Sequence, residues 1–355
     1  MRKLINISVL FFILSLLVVC SPEQDNIVVP EKGIVQENQN IIITHTNSNA
    51  FSVFKAEHKK HSENMVISPL NANAVSALVL YASNTTNNLD KNGASNELIN
   101  FNKRILNYDT GLKINSQVAL NFNQTIKFSG SFDEFLKNTD YYRIKENGNE
   151  FKNFKKTLLN IKNNLEGKFN FSNQINVGEA PFYLSPDKSK FVKMLICQSV
   201  FNYYGDDYMK VVEIPIGQGR FSALFIIPET GFSLNRIVQT LNPYILKTIS
   251  ANYRLLKMAV FIPEINISYY RESIEKNAYT NFKDIRQLSL KNISSKENIF
   301  IQNIVYHTNL KSTSIERNNK KQKISNSLFI NRPFVFIIKE KSTDAIIFIG
   351  QIINP

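Results

Sequence analysis

Residues 328–355 read LFINRPFVFIIKEKSTDAIIFIGQIINP. Two apolar runs, 333–338 and 345–353, flank a polar connection at 339–344. Both runs are rich in Ile, Val and Phe, and neither alternates between apolar and polar residues. A half-exposed strand would alternate, so the pattern predicts two strands covered on both faces. Lys341, Ser342, Thr343 and Asp344 supply the turn, because short polar side chains hydrogen-bond nearby backbone. A buried hairpin of this kind says nothing by itself about function.

Around this hairpin lies a chain of 355 residues, long enough for one large domain or two ordinary ones. Hydrophobic residues make up 43% of it, enough for a sizeable core. The formal net charge is +13, from 42 Lys+Arg against 29 Asp+Glu. Such a charge favours anionic partners, but the basic residues are scattered, and a solvated surface accounts for them equally.

Residues 1–20 have the form of an export signal, with Arg2 and Lys3 before an apolar stretch at 10–19. That stretch is short for a membrane-crossing helix. Leu17-Val18-Val19-Cys20 resembles a bacterial lipoprotein cleavage box, in which the cysteine is lipidated; Val19 stands where a small residue is usual. A plain signal peptide with an incidental Cys20 is the alternative. Cys197 is the only other cysteine, so no structural disulfide is expected and Cys197 reads as a small buried hydrophobe. Residues 21–45 are polar and broken by Pro22, Pro30 and Gly33, which predicts a flexible tether. The folded part then covers 46–355, without an internal repeat or a second domain boundary.

Apolar spacing predicts a surface helix over 50–61, with Phe51 and Phe54 inward. Pro69 opens another over 69–82, since its missing N–H would be unpaired there in any case. Residues 84–108 carry few signals, and any helices there are expected to be short. Strands are expected at 113–122, 141–145, 211–216, 221–229 and 258–267, the last with Pro263 near an end. Short helices are expected at 132–137, 235–241 and 271–277.

The run Asn331-Arg332-Pro333-Phe334, VFII, a turn and IIFIGQIINP closely resembles the C-terminal signature of the serpins, whose hairpin of this kind lies at the centre of a buried sheet. Further landmarks agree in order: Asn64 to Asn71, with Ser68 and Pro69 matching and Asn71 in place of a second serine; Glu166 to Phe169; Glu179 to Phe182; and the strands at 211–229. The resemblance implies an α+β serpin-like fold with a large mixed main sheet, smaller sheets and surrounding helices. Between the landmarks, residues 150–164 leave no room for both the helix that crosses the main sheet and the central strand after it. Loss of that helix is expected, with 157–164 as a weak central strand, polar at Asn160, Lys162, Asn163 and Asn164.

Inhibitory serpins offer a loop that a protease cuts, and the cut loop enters the main sheet as a new strand. The resemblance puts this loop at 314–327, SIERNNKKQKISNS. Fourteen residues reach about 50 Å at full extension, less than the family loop. Where small residues are usual after the hinge Glu316, this chain has Arg317, Asn318, Asn319, Lys320 and Lys321. Burying an unpaired cation under an inserted strand is opposed by several kcal/mol. The trap therefore reads as disabled. Glu316, Arg317, Lys320, Lys321 and Lys323 remain the reactive-loop candidates, either as bait for a protease that prefers cations or as a solvated turn. Ser68, Asn71 and His307 match positions under the sheet where it opens.

His58 and His61 share a helix face, but no thiol or carboxylate completes a metal site, and both are expected to face solvent. No catalytic constellation, cofactor, metal or nucleic-acid partner is expected, and the chain reads as no enzyme. Two functions stay open: a non-inhibitory, surface-tethered binding protein on a decayed serpin scaffold, or an inhibitor of trypsin-like proteases with a basic bait loop. Expected partners are a protease or another extracellular protein, and a membrane reached through the lipid; the protein is expected to be exported and monomeric. Labelled palmitate should enter the wild-type chain in a bacterial host and be absent from Cys20→Ala. Label retained by the variant excludes lipidation at Cys20.

Overall fold

The computed structural model describes residues 37–83, 94–106, 111–146, 157–272, 288–314 and 326–355. In chain order these form α1 (Glu37–Lys60), β1 (Met65–Ile67), α2 (Pro69–Ser83), α3 (Ala94–Leu106), β2 (Leu112–Phe122), α4 (Gly130–Lys137), β3 (Tyr142–Glu146), β4 (Thr157–Phe169), β5 (Gln174–Ser185), β6 (Lys188–Gly205), β7 (Met209–Ile216), β8 (Phe221–Pro228), α5 (Leu234–Thr240), α6 (Pro243–Ala251), β9 (Arg254–Pro263), β10 (Asn266–Glu272), β11 (Ile299–Ser312), β12 (Ser327–Phe329), β13 (Phe334–Glu340) and β14 (Ile346–Ile352).

The C-terminal runs form β13 and β14, antiparallel, with every residue of both buried. The turn between them places Asp344 at φ 58°, a conformation that Asp tolerates better than most residues. β14 also pairs with β1, and β13 with β8, inside a nine-stranded sheet ordered β1-β14-β13-β8-β7-β6-β9-β12, with β5 on β6. The hairpin thus lies towards one edge of the strand order, yet it is dry because the main sheet and the helices cover it. Where it ends, charge is paired: Lys339, 6% exposed, reaches Asp344 at 2.6 Å and Glu213 at 3.7 Å, and Glu340 receives Arg220 at 2.6 Å. Burial raises the Glu213 pKa, but Lys339 and hydrogen bonds from Ser222 and Asn202 outweigh it and hold the carboxyl below its ordinary value.

The second sheet has five strands, ordered β10-β11-β4-β2-β3, and is mixed: β11 runs parallel to β4, and β2 to β3, while the other pairs are antiparallel. Burial alternates along β4 without a break from Thr157 to Phe169. Leu159, Ile161, Leu165 and Phe169 point into the core, while Lys162, Asn164, Glu166 and Lys168 face out. This corrects the reading of 157–164 as a weak strand, since β4 pairs on both sides, with β2 and β11. Its polar residues mark a wet face, as period-2 alternation requires. The chain between β3 and β4, where the crossing helix would fall, lies outside the described residues.

Several boundaries differ from those expected. α1 begins at Glu37, so 37–45 is helix rather than tether, because Ile42 and Ile43 bury with Phe51 and Phe54 on one side of it. The segment 84–108 contains the 13-residue α3, held by Leu98, Ile99, Phe101 and Ile105. The run 258–267 splits at Pro263, which ends β9. The helix expected at 271–277 is contradicted at its start, where Arg271 and Glu272 close β10; its remainder lies outside the described residues. Helix α6, capped by Asn242 and opened by Pro243, was not anticipated.

Gly350 sits where β14 meets β1 and β13. A Cβ there would lie 2.4 Å from Met65 O and 2.5 Å from the Phe336 ring. Gly350→Ala is expected to cost about 2–3 kcal/mol through overpacking. Urea unfolding checks this: its midpoint should fall in Gly350→Ala and not in Gly130→Ala, where a Cβ meets nothing within 4 Å.

Candidate functional site: the seam between β4 and β11

β11 and β4 lie side by side in the main sheet, paired from Ile299↔Thr157 to Ser312↔Phe169. Their C-terminal ends emerge together. From there the chain leaves β11, passes through 315–325 and returns at β12, which pairs with β9 in the other sheet. A strand that folded back from β11 would run antiparallel to it. Placed between β11 and β4, it would replace one parallel pairing by two antiparallel ones, the slightly more stable kind. The seam is therefore the place in the described fold where the following segment could enter.

Beneath the seam the first turn of α2 supplies Asn71. Its Nδ2 donates to Thr308 Oγ1 at 3.0 Å, and its backbone carbonyl accepts from Asn163 Nδ2 at 3.0 Å. One residue thereby fastens both sides of the seam, β11 through Thr308 and β4 through Asn163. All three are buried, at 2%, 3% and 0% exposure. Asn71 Oδ1 and Asn163 Oδ1 accept no hydrogen bond. Ser68 points elsewhere, donating to Ile347 O of β14 at 2.8 Å. Of the residues expected under the opening region, Asn71 is there and Ser68 is a neighbour tied to the hairpin.

His307 is not under the sheet. It stands on the outer face, only part-buried, with Nε2 2.9 Å from Ser268 Oγ. Successive strand residues point to opposite faces, so the inward position belongs to Thr308. His58 is likewise not free in solvent: its Nδ1 lies 2.7 Å from Gln351 Oε1 and its Nε2 3.1 Å from Asn235 Oδ1. His61 instead approaches Glu57 and Glu63, each at 3.8 Å. Cys197 is fully buried, and burial raises its thiol pKa well above the ordinary value. Glu316, Arg317, Lys320, Lys321, Lys323 and Cys20 lie outside the described residues.

The sequence reading missed Asn163 and Thr308. Asn163 was legible, because it shares parity with Leu159, Ile161 and Leu165, and a polar residue in that inward series needs a buried partner. Thr308 was obscured by the adjacent histidine.

This architecture can be set beside known proteins. A family model described as "Serpin (serine protease inhibitor)" matches residues 157–355. The chain belongs to the serpin family, a family of protease inhibitors and not of enzymes. Chicken (Gallus gallus) Serpin H1 is 26% identical over 178 residues, 46% of this chain and 44% of that protein. A serpin-like protein of Thermococcus kodakarensis is 22% identical over 216 residues, 56% of this chain and 50% of the other. These matches span about half the length of the curated relatives. Among solved structures, the mouse protein-Z dependent protease inhibitor superposes with a TM-score of 0.73 at 15% identity, over 90% of this chain and 98% of that one. Uncleaved ovalbumin gives 0.70 at 17% identity, over 88% and 100%. These likenesses establish the serpin fold, with its mixed main sheet and surrounding helices.

Thr308→Val removes the acceptor of Asn71 Nδ2 while keeping the side-chain shape. A loss of about 1–3 kcal/mol is expected, the cost of a buried donor left unpaired. Adding Asn71→Ala should cost less than the two single losses summed, because both act on one contact. Strict additivity in a chemical-denaturation cycle excludes the clamp.

Proposed function

We propose that this protein uses the serpin fold as a surface-tethered binding scaffold and does not trap proteases by strand insertion. The observation that carries this is the alternation of the seam. Inward residues of β4 and β11 are buried against the core, so an inserted strand must present every second residue to a dry interior. In the segment after Ser314, one parity contains Glu316 and Lys320, and the other Arg317, Lys321 and Lys323. Each register puts charge inside, with little apolar gain to offset it.

Length supports the same reading. β4 is 13 residues long and pairs with β11 from end to end. A cut near Lys320 leaves a stub beyond Ser312 that must also make the reversing turn, so it fills the seam only in part. The tether in this proposal is a lipid on Cys20, supported by the Leu17–Cys20 box. The specific observation favouring the second reading, a working inhibitor, is the row of cations at Arg317, Lys320, Lys321 and Lys323, which suits a protease that cuts after basic residues.

Limited proteolysis separates the two. After nicking near Lys320–Lys323, the melting temperature is expected to stay unchanged or fall, and no SDS-stable complex with a trypsin-like protease should form. A rise of tens of degrees, or a covalent band on a denaturing gel, overturns the scaffold reading and restores the trap.

A further inference from the structure

The wet face of the main sheet is not evenly polar. In its last outward-facing row, Lys113 of β2, Lys168 of β4 and Lys311 of β11 are register partners on three adjacent strands. All three are exposed, and the row continues to the uncharged Asn266 on β10. Neighbouring strands lie about 4.8 Å apart, so three ammonium groups spring from a line about 10 Å long. Like charges directly opposite one another destabilise a sheet, and here the opposition is doubled. None of the three lysines forms an ion pair with a described residue.

We propose that the Lys113–Lys168–Lys311 row is a binding strip for a thin linear polyanion, with inorganic polyphosphate as the chemistry that fits. The charge is complementary, and the surroundings set the width. The next outward row, two residues back along each strand, is Ser268, Asn309, Glu166 and Asn115. Its single charge is negative. On the other side the sheet ends, at Leu112, Phe169 and Ser312. The positive strip is thus one residue wide. A flat anionic bilayer would press Glu166 against its headgroups, and a polymer with bulky units between its charges would overhang the strip. A chain of phosphates places charge on every unit and lies within it. The outer face is open to such a chain because its residues point into solvent.

The test uses the full chain and long-chain polyphosphate, titrated across a range of salt concentrations. The wild type is expected to bind, and a Lys113→Gln/Lys168→Gln/Lys311→Gln variant to lose tenfold or more in affinity. Its log K against log salt should be shallower by about 2–3, from the charges removed. Polyphosphate should also raise the melting temperature of the wild type and leave that of the triple variant unchanged. A control with Lys188, Lys257 and Lys291, all exposed, changed to Gln should bind as the wild type does. Equal losses in the two triple variants reduce the effect to net charge and overturn the site. Loss only on changing Lys320, Lys321 and Lys323 moves binding to the loop and overturns it too. Tighter binding to sulfated oligosaccharides or phosphatidylglycerol vesicles than to polyphosphate overturns the assigned occupant.

Discussion

Everything in this fold leans on the contact between residues 64–71 and the C-terminal hairpin. Asn64 accepts from the backbone N–H groups of Ile353 and Asn354 and donates to Asn354 O, holding the chain end. Val66 pairs with Gly350, and Ser68 caps Ile347 O. Segments nearly three hundred residues apart in sequence therefore close one continuous ladder. The loop entropy of such a closure must be met by burial, which is why both strands of the hairpin are apolar on both faces. Gly350 is the geometric consequence, because backbone of β1 and the Phe336 ring occupy the space a side chain would need.

The same contact places the seam. α2 starts at Pro69, immediately after the residue tied to β14, so its first turn delivers Asn71 to the underside of β4 and β11. From the other direction, Phe348 of β14 rises towards β4 and is admitted because position 167 is glycine; a Cβ there would meet the ring at 2.6 Å. The main sheet is consequently supported at two points along one strand, by a ring at Gly167 and by an amide at Asn163. Any change that parts β4 from β11 must release the second while leaving the first in place.

How much of this the sequence discloses depends on how local the signal is. Apolar runs, a proline at a helix start and the ordered landmarks are local, and they led to the hairpin, to α2, β7 and β8, and to the family. Parity is only slightly less local, yet the polar residues of 157–164 concealed it: Asn160, Lys162 and Asn164 face water while Asn163 faces inward, and read together they look like a poor strand. Helix α1 was underread at its start because Ile42 and Ile43 sit among Thr, His and Asn, and only tertiary packing gives them a face. The clamp itself was half legible. Asn71 stands at a family landmark, but that its partner is Thr308 rather than His307 follows from register across two strands far apart in sequence, which no single segment carries.

The alternation of β4 also changes what the polar residues mean energetically. A sheet dry on both faces would make each of Lys162, Glu166 and Lys168 a buried charge, costing several kcal/mol apiece without a partner. With one face in water their cost is small, and the outer face makes no demand for an apolar cover. The inward face remains as strict as any core, admitting one amide only because Asn71 meets it. Function in this chain is thus divided by parity. Charge that cannot enter the sheet is free to collect on top of it, and a protein that has lost the side chains for insertion keeps an open, basic, rigid surface on which to bind.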